Sequence, residues 1–200
     1  MIMSQSQSLR NNRLKKVAIF ASGNGTNFEA IVNAELPIKV SLLVCDHSNA
    51  NVVQRAKNHG IPVLCVNFRD FDSKASAEKF ILDKLLSTKI DFIVLAGYMR
   101  IVSPVLLDAY PKKILNLHPA LLPKFPGRHG IEDAYNAGVE TTGVTVHFVD
   151  AGIDTGKIIA QQSVPRLADD KVEDLENRIH KVEHVLYPKT ILDLINRGEI

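Results

Sequence analysis

The sequence has little cysteine, no surplus of positive charge and no long apolar run, and each shortage excludes a class of protein. Cys45 and Cys65 are the two cysteines. Both sit in strand-like apolar stretches, so the expectation is two buried core thiols and neither a disulfide nor a metal site. The histidines and cysteines lack metal-ligand spacing, and no metal is expected. The formal net charge is +2, with no basic stripe of the kind a nucleic-acid binder carries. No apolar run approaches the roughly 20 residues that a membrane span needs. Residues 1–12 are rich in Ser, Gln and Asn and lack an apolar signal segment, so they read as a loose tail. The expectation is a cytoplasmic protein with no nucleic-acid or membrane partner.

What is present is ordinary globular material. Of 200 residues, 46% are hydrophobic and 23% charged, enough for one sizeable core. The division expected is a flexible tail over 1–14 and a single domain over 15–200. Short apolar runs at 17–21, 40–45, 63–66, 92–96, 114–118, 142–149 and 158–164 read as strands. Helical spacing is seen between them at 27–34, 49–59, 73–88 and 131–137, and in a long final stretch carrying Val172, Leu175, Ile179, Val182 and Leu186. Ser103 and Pro104 open a further short helix, as cap and first position. On 73–88, Ala77, Phe80, Ile81 and Leu85 are expected on one buried side. Residues 92–96 show no polar alternation, as in a strand covered on both faces. Alternating strands and helices predict an α/β fold, a doubly wound, mainly parallel sheet with helices on both faces.

The first strand runs into Ser22-Gly23-Asn24-Gly25-Thr26-Asn27. Two glycines permit a sharp turn and close approach of a ligand to the backbone. Thr26 and Glu29 match a capping box, and a helix N-terminus suits phosphate. A third glycine and a P-loop lysine are both missing, so one phosphate suits the turn better than a pyrophosphate. A tight connection with no ligand is an equally good reading of this turn alone.

Asn116-Leu117-His118-Pro119 closes the fifth strand. Alternation places Asn116 and His118 on one face, at the strand end where α/β sheets hold ligands. Asp150-Ala151-Gly152-Ile153-Asp154-Thr155-Gly156 links two later strands and can deliver a carboxylate to that end. An amide donor, an imidazole and a carboxylate are the parts of an acyl-transfer site. No Ser or Cys nucleophile is evident, so direct attack by a substrate amine is the simpler chemistry. A polar strand end bonded to its own loop is the alternative.

With these residues in view, the chain resembles the glycinamide ribonucleotide formyltransferases from about Lys16 to the last helix. The resemblance rests on residues 22–27, Leu95-Ala96-Gly97-Tyr98-Met99-Arg100, Asn116-Leu117-His118-Pro119, residues 143–154, and Glu183-His184 through Pro188. It implies a formyltransferase fold with a Rossmann-like N-terminal half. It implies transfer of a formyl group from the cosubstrate 10-formyltetrahydrofolate to the amine of glycinamide ribonucleotide, a step of purine synthesis. Asn116, His118 and Asp154 would be the catalytic trio. Gly23, Asn24, Gly25, Thr26 and Asn27 would hold the ribonucleotide phosphate, and Glu183 the ribose, from the edge of the last helix's apolar stripe. Lys74, Met99, Arg100, Ile101, Val102, Asn116, Val149, Asp150, Ala151, Gly152 and Asp154 would hold the folate. Two departures stand out: Ala120 replaces a common Ser, and His180 stands where Lys or Gln is more usual near the phosphate.

Methionyl-tRNA formyltransferase and formyltetrahydrofolate hydrolase are similar. The first adds a C-terminal RNA-binding domain and an arginine-rich loop, the second an N-terminal regulatory domain, and neither is expected here. A non-enzymatic nucleotide-binding module accounts for the glycine turn but not for the gathered trio. His47 reads as a loop residue and His59 as helix surface. His129 and His147 are balanced between the cleft and a structural role. Asp169 and Asp170 are expected to start the last helix. No segment marks an interface, so monomer and homodimer both stand open.

Overall fold

β4 (Phe92–Leu95) reads Phe-Ile-Val-Leu, and all four residues are buried. A strand this short and this apolar can only lie in the middle of a sheet covered on both faces. The computed structural model describes residues 13–200, so the expected tail lies almost wholly outside the described residues. The other strands are β1 (Lys15–Ala21), β2 (Ile38–Cys45), β3 (Val63–Cys65), β5 (Ile114–His118), β6 (Thr141–Phe148) and β7 (Ile158–Pro165). All seven form one sheet in the order β3-β2-β1-β4-β5-β6-β7. The five from β3 to β5 pair in parallel. β6 is antiparallel to both β5 and β7.

The helices are α1 (Thr26–Asn33), α2 (Asn51–Asn58), α3 (Lys74–Thr88), α4 (Pro104–Ala109), α5 (Gly130–Asn136) and α6 (Val172–Arg197). Strand alternation splits the apolar residues between two cores. Ile19, Leu43, Val94 and Leu115 face Phe28 of α1, Val52 of α2 and Leu175, Ile179 and Tyr187 of α6. Phe20, Leu42, Ile93 and Ile114 face Ala77, Ile81 and Leu85 of α3 and Leu106 of α4. Each fully buried side chain of this size contributes about 1.5–3 kcal/mol, so two filled faces hold the sheet rigid beneath its loops. Tyr187 ties α6 to the sheet, its buried hydroxyl 3.0 Å from the Leu95 carbonyl and 3.1 Å from that of Leu115.

The doubly wound sheet matches expectation, and several local readings are corrected. Thr26 does not cap α1: Gly25 occupies that position in the left-handed region, with no side-chain cap. Glu29 instead bonds Arg55 and His59 of the neighbouring helix segment. Cys65 is exposed and only Cys45 is buried, because β3 forms the sheet's edge. Phe80 is exposed as well and packs on Phe71 along the outside of α3. Asp170 does not start α6; the backbone N–H of Lys171 is bonded by Asp174, while Asp170 reaches forward to Arg178.

Candidate active site

Strand order reverses between β1 and β4, where connections leave in opposite directions and open a crevice at the strands' carboxyl ends. A cleft of about 800 Å³ lies there, lined by the ends of β4 and β5, the β6–β7 loop, and the first half of α6. Asn116 and His118 project from one face of β5, Leu115 and Leu117 from the other. Asp154 comes from the β6–β7 loop. Its φ of 55° is a left-handed conformation that Asp tolerates better than most residues, and it turns the carboxylate back onto the strand.

The three side chains meet. Asp154 Oδ1 is 3.4 Å from Asn116 Nδ2, and Asp154 Oδ2 is 3.4 Å from His118 Nδ1. The backbone N–H of Gly127 donates to the same Oδ2 at 2.8 Å. Burial alone would raise the pKa of Asp154; its hydrogen bonds, the Gly127 N–H among them, and the charge of His118 outweigh this and hold it below the usual carboxylate value. His118 is almost fully buried, and its Nε2 lies 2.7 Å from the Phe125 carbonyl. A carbonyl only accepts, so Nε2 carries a hydrogen. Nδ1 then faces the Asp154 carboxylate. The loop comes this close because position 130 has no side chain: a Cβ there would lie 3.1 Å from His118 Nε2 and 3.2 Å from the Phe125 oxygen. Phe125 itself has a φ of 53°, a strained setting for a bulky residue.

Of the glycine turn, Asn27 alone reaches the main cleft. Ser22, Gly23 and Asn24 line a shallower depression beside His47, Asn49 and Asn51. Asn24 is tied to α2, accepting from Asn51 through its side chain and from Arg55 through its carbonyl. The uncapped start of α1 leaves its first N–H groups without a side-chain acceptor, which is the electrostatic setting for an anion. Asn27 Nδ2 donates to Glu183 Oε2 at 2.9 Å. Glu183 lies inside the buried row of α6, between Ile179 and Tyr187, and not at its edge. The same oxygen is 2.9 Å from His180 Nδ1, and His180 Nε2 is 3.4 Å from Glu176. The Glu183 hydrogen bond raises the pKa of His180 against an opposing effect of burial. Asn27 Oδ1 is buried and has no hydrogen-bond partner among the described residues.

The folate-side residues divide. Lys74, Met99, Ile101, Val102, Val149, Asp150 and Gly152 line the cleft, with Met99 and Ile101 exposed in its mouth. Ala151 is not among the lining residues. Arg100 lines the cleft but is anchored, its Nε 2.7 Å from Asp46 and its guanidinium 4.0 Å from the Phe68 ring centre. Glu78, buried in α3, accepts from both the backbone N–H and the hydroxyl of Ser103 and so pins the end of the 97–102 loop. The structure adds His147, Arg128, Ile131 and Ile153 to the lining. His147 resolves in favour of the cleft. His129 is exposed at the start of α5, paired loosely with Glu132. Only the pairing of β5 with β6 could have singled out His147, and one sequence does not reveal strand partners.

The formyl transferase family model matches residues 15–191. The chain belongs to this family. Phosphoribosylglycinamide formyltransferase of Bacillus subtilis (strain 168) is 46% identical over 193 residues, which cover 93% of this chain and 99% of that one. The trifunctional purine biosynthetic protein adenosine-3 of Drosophila melanogaster is 37% identical over 200 residues, 15% of its own length. Among solved structures, glycinamide ribonucleotide transformylase 1 of Geobacillus kaustophilus superposes with a TM-score of 0.89 at 52% identity, covering 90% of this chain and 98% of that one. Phosphoribosylglycinamide formyltransferase of Streptococcus pneumoniae TIGR4 gives 0.88 at 49% identity, covering 91% and 99%. Membership in the family accounts for the doubly wound sheet and for an enzyme of formyl transfer.

Proposed function

We propose that this formyl transferase moves the formyl group of 10-formyltetrahydrofolate onto the amine of glycinamide ribonucleotide, in the cytoplasm, as a step of de novo purine synthesis. The observation that carries the reading is the meeting of Asn116, His118 and Asp154 at the end of β5. The names of the relatives at 46% and 52% identity point to the same formyl acceptor.

The cleft residues suit both ligands. Met99, Ile101, Val102, Val149 and Ile153 give an apolar wall for a pterin, and Lys74 stands in the wall for an acidic group. The uncapped turn of α1, with Asn27, Glu183 and His180, suits a ribose phosphate: backbone N–H groups for the anion and a carboxylate for hydroxyls. The bound folate supplies an activated formyl carbon. Around it, Asn116 donates to the carbonyl oxygen as the amine attacks and negative charge develops there. His118, held in place between Asp154 and the Phe125 carbonyl, stands beside that charge and in its protonated form stabilises it. To donate directly, its Nε2–H must leave Phe125. Asp154 orients His118 and takes part in moving the amine proton away through water. The new C–N bond forms to the amine, the bond to the folate nitrogen breaks, and the proton ends on that nitrogen.

A product assay decides between acceptors. The purified protein with 10-formyltetrahydrofolate should formylate glycinamide ribonucleotide and leave initiator methionyl-tRNA unmodified. Formylation of the tRNA, or release of free formate alone, defeats the reading.

A further inference from the structure

β6 runs antiparallel to β5, in a register that sets His147 directly opposite Asn116. Directly opposed residues share a face of the sheet with their side chains in contact. Here His147 Nε2 is 3.1 Å from Asn116 Nδ2. His147 is 2% exposed, and its other ring nitrogen, Nδ1, lies 2.9 Å from the Phe148 carbonyl oxygen. That oxygen can only accept, so Nδ1 carries the hydrogen. In the neutral ring Nε2 is then a lone pair, and Asn116 is its donor. Nε2 is also 3.5 Å from Asp154 Oδ1, a longer contact than the one to the amide. The amide nitrogen and the two acceptors form a triangle of 3.1, 3.4 and 3.5 Å, so both acceptors lie on one side of the amide.

We infer that His147, resting on the proposed transferase reading, is a positioning residue that fixes which way the Asn116 amide faces. An amide can turn over and exchange its oxygen for its nitrogen. With the His147 lone pair and the Asp154 carboxylate both against it, only the orientation that turns Nδ2 toward them is satisfied. A turned amide would set its oxygen against both. The count of hydrogens gives the consequence. Nδ2 has two: one is held permanently by His147, and the other rests on Asp154 at 3.4 Å. This second hydrogen is the one free to pass to the developing oxyanion while the first keeps the group aligned. Catalytic donors of this kind act because they need no reorganisation at the moment of reaction.

Three measurements test this. In the intact native protein, ¹⁵N NMR of the His147 ring should report the neutral tautomer with hydrogen on Nδ1 at neutral pH. Hydrogen on Nε2, or a charged ring, overturns the inference without any variant. His147→Leu, which removes the acceptor, should lower single-turnover rate on the order of 10- to 100-fold, a part of the 100- to 1,000-fold that loss of an oxyanion donor costs. Dissociation constants for both substrates should stay within about 3-fold, since the contact is made to the amide and not to a ligand. His147→Gln, whose side-chain oxygen accepts from the same amide, should recover most of the rate. Native turnover in His147→Leu, or equal losses in Leu and Gln, overturns the proposal. Asn116→Ala, run in parallel, separates the two readings: a native rate there defeats the proposed trio itself. A depressed rate there with a native rate in His147→Leu defeats only the role of His147. In the Asn116→Ala background, His147→Leu should add nothing.

Discussion

Gly25 and Val52 are packed so closely that a Cβ on the glycine would lie 2.5 Å from Val52 Cγ2. Gly25 also holds a φ of 76°, which L-residues rarely adopt. Its need for glycine is therefore structural, whatever the turn binds. Gly23 differs: a Cβ there meets nothing within 4 Å. The pair separates folding from binding. Gly25→Ala should destabilise by about 1–3 kcal/mol through overpacking and strain. Gly23→Ala should melt like the native protein and bind the ribonucleotide at least several-fold more weakly, with folate affinity unchanged. Thermal denaturation and calorimetric titration with each ligand check this. Unaltered ribonucleotide binding in Gly23→Ala removes backbone approach at that position from the phosphate site.

Asp154→Asn replaces the carboxylate by a neutral group of the same shape. It should bind both substrates nearly as the native protein does and turn over at least 100-fold more slowly, the scale of a lost proton-handling group. Because Asn116 and His118 both lean on Asp154, the double variant Asn116→Ala/His118→Ala should lose less than the product of the single losses. Single-turnover kinetics on folded variants measure both. Near-native turnover in Asp154→Asn would leave the β5 pair as the whole site.

His180 should make ribonucleotide affinity depend on pH. Its pKa is raised above 6.5, chiefly by Glu183, so it keeps its positive charge to higher pH than a free imidazole and loses it as pH climbs through the raised value. Affinity for the phosphate-bearing substrate should therefore decline over that window. His180→Lys should flatten the decline and His180→Gln should abolish it at a lower affinity. Titrations from pH 6 to 9 follow this; an unchanged slope in His180→Gln removes His180 from the phosphate site.

Asp170 should tie the loop before α6 to Arg178 in a pH-dependent way. Arg178 grips it with two nitrogens at 2.7 and 2.8 Å, and its pKa falls from 3.8 to about 2, chiefly through that hydrogen bond. A depressed carboxyl pKa means stability that is fully present above the unfolded value near 4 and lost as pH falls toward 2. Asp170→Asn should lower the melting temperature at pH 7 and approach the native protein as pH falls through about 2. Melting curves over this range settle it, and a constant gap between the two proteins at all pH values contradicts the ion pair as its source.

The sequence by itself determined the layering and half of the site. Apolar runs such as 92–96, too short for helices and without polar alternation, demand a covered parallel sheet. Period-2 geometry alone puts Asn116 and His118 on one face, and Pro119 marks where the strand stops. Such features are local: each follows from the neighbours of a residue in the chain. The contacts that needed the tertiary structure are long-range. His147 meets Asn116 only because β6 pairs with β5 in one register, and a slip of one residue would send it to the other face. Glu183 sits inside the apolar row of α6 because Asn27, 156 residues away in the chain, meets it there. Gly25 and not Thr26 holds the cap position of α1, and Val52, on the next helix, leaves room there for no Cβ. Periodicity records which face a residue occupies; which residue it faces is decided by packing between segments.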